Sequence, residues 1–204
     1  VLATAAILSI AIGVGANVAV FGLINAVLLR LAPVRDPASL VTLARSNDAS
    51  GLGSSFSFPF FAEVRDSPPA CITVILARAT VGANLIIAGG EPERVTVELV
   101  SGSFFDVLGV SPATGRGFIA ADDIPGAEPV AVLSDGYWRR RLGGDSQIVG
   151  RSVALNGVGF RVIGVAPRTF DGVDLATHPD VRVPLVHHAA VAGMASRLDN
   201  RGEY

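Results

Sequence analysis

VLATAAILSIAIGVGANVAVFGLINAVLL, residues 1–29, contains no Asp, Glu, Lys, Arg or His. As a helix rising ~1.5 Å per residue it reaches roughly 43 Å, more than the ~30 Å hydrocarbon core of a bilayer. The expectation is a retained transmembrane helix; a signal-peptide apolar region or a buried soluble helix is ordinarily shorter. Within it Ala11, Gly15, Ala19, Gly22 and Ala26 recur at three- and four-residue steps and so share one face. Small residues let a second helix come close, which lipid alone does not require. Asn17 and Asn25 each need a hydrogen-bond partner at membrane depth. The expectation for this face is packing inside a helix bundle; the alternative is a lone anchor with incidental glycines.

Outward from the span, the chain reads as a membrane segment over 1–32 and an α+β domain over 33–204, with two subdomains near 38–100 and 101–190. Val1 is no initiator methionine and Tyr204 no obvious stop, so the expectation is a piece of a longer protein, incomplete at its C-terminal end. Arg30 and Arg35 flank the end of the span and, counted alone, would place that end in the cytoplasm; the opposite flank needed for the count is absent.

Charge narrows the function classes. The 204 residues carry a formal net charge of −2, which argues against a nucleic-acid surface. Every cation is arginine, so there is no phosphate-loop lysine and no Schiff-base lysine. Cys71 sits in an apolar run and is expected to be a buried, inert thiol.

Local patterns give the elements. Ser39 to Arg45 alternates and is expected to be a first strand, and Asn47 to Ser55 a loop. Ser57, Pro59 and the apolar Phe60, Phe61 and Val64 predict a short helix closed by Pro68 and Pro69. Cys71 to Thr80, Ala83 to Ala88 and Arg94 to Val100 read as a meander with turns at Val81-Gly82 and Gly89 to Pro92. Arg94 to Val100 alternates, as a strand with one wet face does. A helix over Ser103 to Leu108 ends at Gly109; Ser111 to Gly117 turns sharply through Pro112, Gly115 and Gly117. Pro129 to Leu133 is a buried strand, Ser134 caps a helix over Asp135 to Leu142, and Gly143-Gly144 stops it. Asn156-Gly157 predicts a hairpin between Ser152 to Leu155 and Phe160 to Val165. Val181 to Val186 is a last strand. The elements do not alternate strictly, which favours α+β over a doubly wound sheet.

Several blocks, in order, resemble the MacB/FtsX superfamily of bacterial ABC-transporter permeases, most nearly the large acidobacterial-type orphan permeases. They are Gly13 to Arg30 (GVGANVAVFGLINAVLLR), Gly90 to Val95 (GEPERV), Val100 to Phe118 (VSGSFFDVLGVSPATGRGF), Pro129 to Gly150 (PVAVLSDGYWRRRLGGDSQIVG), Phe160 to Pro167 (FRVIGVAP) and Pro179 to Leu185 (PDVRVPL). The resemblance implies a first membrane helix followed by a MacB-like periplasmic core domain. It implies a permease fragment in the bacterial inner membrane, with residues after about 33 outside the cytoplasm, coupling membrane-helix motion to substrates or partners there. Its implied partners are an ABC ATPase subunit or domain, a second permease protomer or repeat, and membrane lipid. The competing expectation is an anchored or secreted binding module without transport.

No catalytic site is expected, nor any cofactor or metal. His178, His187 and His188, with Asp171, Asp174 and Asp180, lack the regular spacing of a metal site because Pro179 and Pro184 interrupt them, so they read as loop residues. Asp122-Asp123 precedes Pro125-Gly126 and reads as a solvated turn. Ser134 stands at a strand-to-helix junction without the G-x-S-x-G pattern. Arg139 to Arg141 read as a solvated helix end, with a partner's acids or lipid headgroups as the sharper alternative.

Overall fold

The computed structural model describes residues 2–28, 34–47, 51–53, 56–87, 89–174 and 177–192. It opens on helix α1, Leu2–Leu28, unbroken and without a charged residue. Ile7, Ile10, Ile12, Val14, Val18, Val20 and Phe21 are exposed along it. Among the described residues no helix is long and apolar enough to cross a membrane.

Beyond α1 lies a mixed α+β fold. A two-stranded ribbon pairs β1 (Arg45–Asn47) with β2 (Gly51–Gly53), antiparallel. Helix α2 (Phe58–Asp66) follows, then β3 (Arg78–Ile87), β4 (Glu93–Val100), α3 (Phe104–Leu108), β5 (Thr114–Gly115), β6 (Val130–Leu133), α4 (Asp135–Leu142), β7 (Ser152–Leu155), β8 (Val158–Val165), β9 (Val181–Pro184) and α5 (His188–Ala192). The seven strands from β3 on form one sheet in the order β5-β8-β6-β9-β4-β3-β7, and β7 also pairs with β8. The sheet therefore closes on itself, with β5 attached outside the ring. Pairs β4–β9 and β6–β8 are parallel, the others antiparallel. Strands from both sides of residue 100 interleave in the ring.

Strand alternation sorts the core into two clusters, because successive side chains point to opposite faces. Leu85, Val97, Leu99, Leu133, Leu155, Phe160, Val162, Val181 and Val183 fill the inside of the ring, joined by Phe61 from α2 and Val191 from α5. Val100, Val130, Val132 and Ile163 face outward against Phe104, Phe105 and Leu108 of α3 and against Phe118 and Phe170. A register shift between Ala131 and Val132 skips Ile163 on β8. There β5 crowds β8: a side chain on Gly164 or on Gly115 (φ 73°) would run into the other strand's backbone.

Four expectations are corrected. Residues 40–44 are not a strand; Ser39 ends a short 3-10 turn, and pairing begins only at Arg45, the last residue of the expected strand, its partner strand β2 lying inside the expected loop. The meander's first turn does not exist, since β3 runs straight through Val81-Gly82 and residues 71–77 precede it outside any strand. Gly82 serves a close approach instead: the Arg94 guanidinium lies flat over its Cα. Strand β4 has no wet face over its last half, where Glu98 is as buried as its valine neighbours. Cys71 is exposed, because its apolar run joins no sheet.

Most remaining elements stand as expected, though the last strand stops at Pro184, where residues Leu185–His187 turn into a 3-10 helix, and Ser57 makes no side-chain cap bond. Pro59 lies in the first turn of α2. Gly109 and Gly143 end α3 and α4 in the left-handed conformation, φ 65° and 60°, where a Cβ would be strained. The Ser134 hydroxyl accepts the Tyr137 N–H at 3.1 Å. Asn156 (φ 47°) and Gly157 (φ 87°) make the positive-φ turn between β7 and β8.

Candidate functional site

The small-residue face of α1 comes first, since the sequence singles it out. Ala11, Gly15, Ala19 and Gly22 are all exposed, and a Cβ added at Gly15 or Gly22 meets nothing within 4 Å. The side chains of Ala26 and Asn25 lie outside the described residues. The face is therefore open along its described length.

A second constellation is not foreseen by the sequence reading. Glu98 on β4 and Arg182 on β9 are register partners in the parallel pair, and both are at most 1% exposed. Arg182 Nε donates to Glu98 Oε2 at 2.8 Å, and Arg182 Nη2 donates to the Asp171 carbonyl at 3.0 Å. Its guanidinium carbon stands 5.0 Å from the Phe170 ring centre and 5.9 Å from that of Phe104. Arg182 Nη1 is buried with no hydrogen-bond partner among the described residues. Burial lowers the Arg182 pKa, against the opposing pull of Glu98. At the rim Arg78 donates to Glu98 and to Asp174, each at 3.4 Å. The cluster thus fastens the 171–174 segment to the outer face of the sheet. Its sequence signals are one acid in VTVELV, between buried Val97 and Leu99, and one arginine in VRVP, between buried Val181 and Val183.

A second fastening involves Asp122 and Asp123, which are not a solvated turn. The Asp122 carboxylate accepts from Arg116 at 2.6 and 2.9 Å and from the Ile119 N–H at 2.9 Å. Burial pushes its pKa up, but Arg116 and the Ile119 amide outweigh burial and hold it below the usual carboxylate range. The Asp123 carboxylate accepts the N–H groups of Gly102 and Val186, at 3.0 and 2.9 Å, and so joins three loops.

Arg139, Arg140 and Arg141 are not simply solvated. They pair in turn with Asp135 at 2.9 Å, Asp180 at 3.3 Å and Glu93 at 2.9 Å. The Tyr137 hydroxyl also donates to Glu93, at 3.1 Å, and burial followed by that carboxylate drives the phenol pKa upward. Tyr137, Glu93 and Arg141 line a shallow cleft of about 260 Å³ with Leu85, Ile87, Glu91 and Leu142. Its tyrosine and Arg141 both donate to Glu93.

The histidines do not converge. His187 stands edge-on to Phe160 at 5.6 Å, and burial lowers its pKa. His188 lies 6.1 Å from the Phe58 ring, with Nδ1 3.0 Å from the Leu185 carbonyl. Among the described residues no group of three or more His, Cys, Asp or Glu is placed to hold a metal.

Comparison with known proteins bears on this arrangement. Residues 3–202 match the family described as MacB-like periplasmic core domain. The chain belongs to the MacB-like periplasmic core domain family. It is 30% identical, over 158 residues, to the macrolide export ATP-binding/permease protein MacB of Chlorobium luteolum, an alignment covering 77% of this chain and 23% of that protein. It thus spans about a quarter of the length of that relative. The periplasmic region of MacB from Actinobacillus actinomycetemcomitans superposes with a TM-score of 0.55 at 18% identity, over 71% of this chain and 62% of that one. The extracellular domain of the noncanonic ABC-type transporter YknZ from Gram-positive bacteria gives 0.54 at 18% identity, over 69% and 68%. These two share the fold. The MacB-like match takes in both constellations, the α1 face and the Glu98–Arg182 cluster.

Proposed function

We propose that the chain is the first membrane helix and the extracytoplasmic domain of an ABC-transporter permease of the inner membrane, and that the domain couples helix motion to substrates or partners outside the cytoplasm. The observation that carries the reading is α1 in its setting: an uncharged helix backbone over Leu2–Leu28, with large apolar side chains exposed, directly ahead of a MacB-like fold. Large apolar side chains exposed on an uncharged helix suit lipid better than water. Membrane lipid surrounds it, and its small-residue face meets a second permease protomer or repeat. ATP hydrolysis belongs to a separate ATPase domain or subunit, since no lysine in this chain can serve a phosphate loop. The relative named as an ATP-binding/permease protein supports that division of labour. The outer domain acts mechanically, its loops fastened to a rigid ring by Arg182 and Asp123.

The test is topological. A reporter active only outside the cytoplasm, fused after Tyr204, is expected to be active, and the chain to stay with the membrane under alkaline extraction. Activity of a cytoplasm-only reporter at that position reverses the orientation. Recovery of a soluble product cleaved near Pro33 rejects the anchor.

A further inference from the structure

We propose that the outer edge of β3 is a docking site for an extended acidic segment of a partner protein, which adds a strand to the ring. The argument starts from backbone direction. Ala77 exchanges bonds with Ser101 on the β4 side: its carbonyl accepts the Ser101 N–H at 3.0 Å and its N–H donates to Ser101 Oγ at 3.2 Å. Asn84 does the same with Asn156 on the other side, its N–H donating to Asn156 Oδ1 at 2.8 Å and its carbonyl accepting the Asn156 N–H at 2.9 Å. In an antiparallel strand both groups of one residue point the same way and alternate along the chain. Thr80 and Gly82 share the parity of Asn84, so their N–H and C=O groups point away from β4. Strand β7 pairs β3 only from Leu85 to Ile87. Among the described residues nothing bonds the outward groups of Thr80 and Gly82, and both residues are exposed. This is an open edge in a ring otherwise closed, and such an edge is a template for an added strand.

Charge selects the occupant. Arg94, register partner of Asn84, lays its guanidinium over Gly82, and it makes no ion pair among the described residues. The carboxylates near it are engaged: Glu98 by Arg78 and Arg182, Glu93 by Arg141 and Tyr137 on the opposite face. Gly82 is what lets a cation sit on the strand beside the open groups. An incoming strand with carboxylates on that face would meet Arg94. The proposal stands independently of the transport reading.

The test uses the full chain in detergent micelles and two capped peptides, one alternating valine with glutamate and one alternating valine with lysine, read by fluorescence anisotropy. The acidic peptide is expected to bind and the basic one not. On binding, hydrogen exchange at the Thr80 and Gly82 amides is expected to slow at least about tenfold. Thr80→Pro removes an outward donor and no bond to β4, and is expected to weaken binding at least about tenfold. Arg94→Gln leaves the backbone intact and is expected to cost about threefold or more and to erase the preference for acid, which keeps the test decisive should Thr80→Pro unfold. Equal binding of the two peptides, or unchanged exchange at Thr80 and Gly82, overturns the proposal. So does a peptide-free dimer that Thr80→Pro dissolves, since the edge would then be occupied by a second copy.

Discussion

Arg182 and its carboxylate partner Glu98 are both buried, and that decides what removal of the arginine does. Two opposite charges taken out of solvent roughly break even against apolar residues of similar size, but one charge left behind does not. Arg182→Met is expected to destabilise the domain by about 3–5 kcal/mol, because Glu98 stays buried with only Arg78 at the rim. Combining it with Glu98→Leu is expected to recover most of that loss or exceed the parent. Urea unfolding of the four proteins measures the cycle; additive losses would show that the pair acts as two separate residues. Asp123 works differently. Its carboxylate bonds only backbone N–H groups, so it ties loops together without consuming a cation.

For the elements, α1 carries the sharpest expectation. If its small-residue face meets another helix, Gly15→Leu or Gly22→Leu in the full-length permease is expected to abolish crosslinking to its neighbour, while Val14→Leu and Val18→Leu are tolerated. Insertion should be unaffected in all four, since leucine is at least as apolar as what it replaces. Equal crosslinking across the set leaves α1 an anchor only. Elements with local signals were legible in the sequence: α4 from its serine cap and Gly143, α3 from Gly109, the β7–β8 hairpin from Asn156-Gly157. Elements defined by distant partners were not. Val81-Gly82 looks like a turn in isolation, and only Arg94 on the next strand explains the glycine. Glu98 looks like a wet-face residue until Arg182 arrives beside it. Asp122-Asp123 looks solvated because Arg116, Gly102 and Val186 are not neighbours of the pair in the chain. The α1 face rests on spacing alone, whereas the fastened loops needed the fold.

The whole domain is a ring closed by strands remote in sequence, and the parallel pairing of β4 with β9 joins Glu98 to Arg182 across 84 residues. That separation is also a waiting time. At ~5–20 residues per second of synthesis, β4 exists for roughly 4–17 s before β9 does. In that interval the β9-facing flank of β4 stays free even after β7 is available to β3, and Glu98 has no buried cation to pair with. Long-range parallel pairing is slow to form in any case, since the loop entropy must be met before the contacts exist. Chains halted after residue 170 are therefore expected to be cut readily by protease within β3 and β4, and chains extended past α5 to resist. Early resistance would mean that the hairpin is held by something other than β9. The newborn domain must pass through a stage in which its most aggregation-prone strands are finished but unguarded, so whatever escorts this chain has to hold on until Pro184 has emerged.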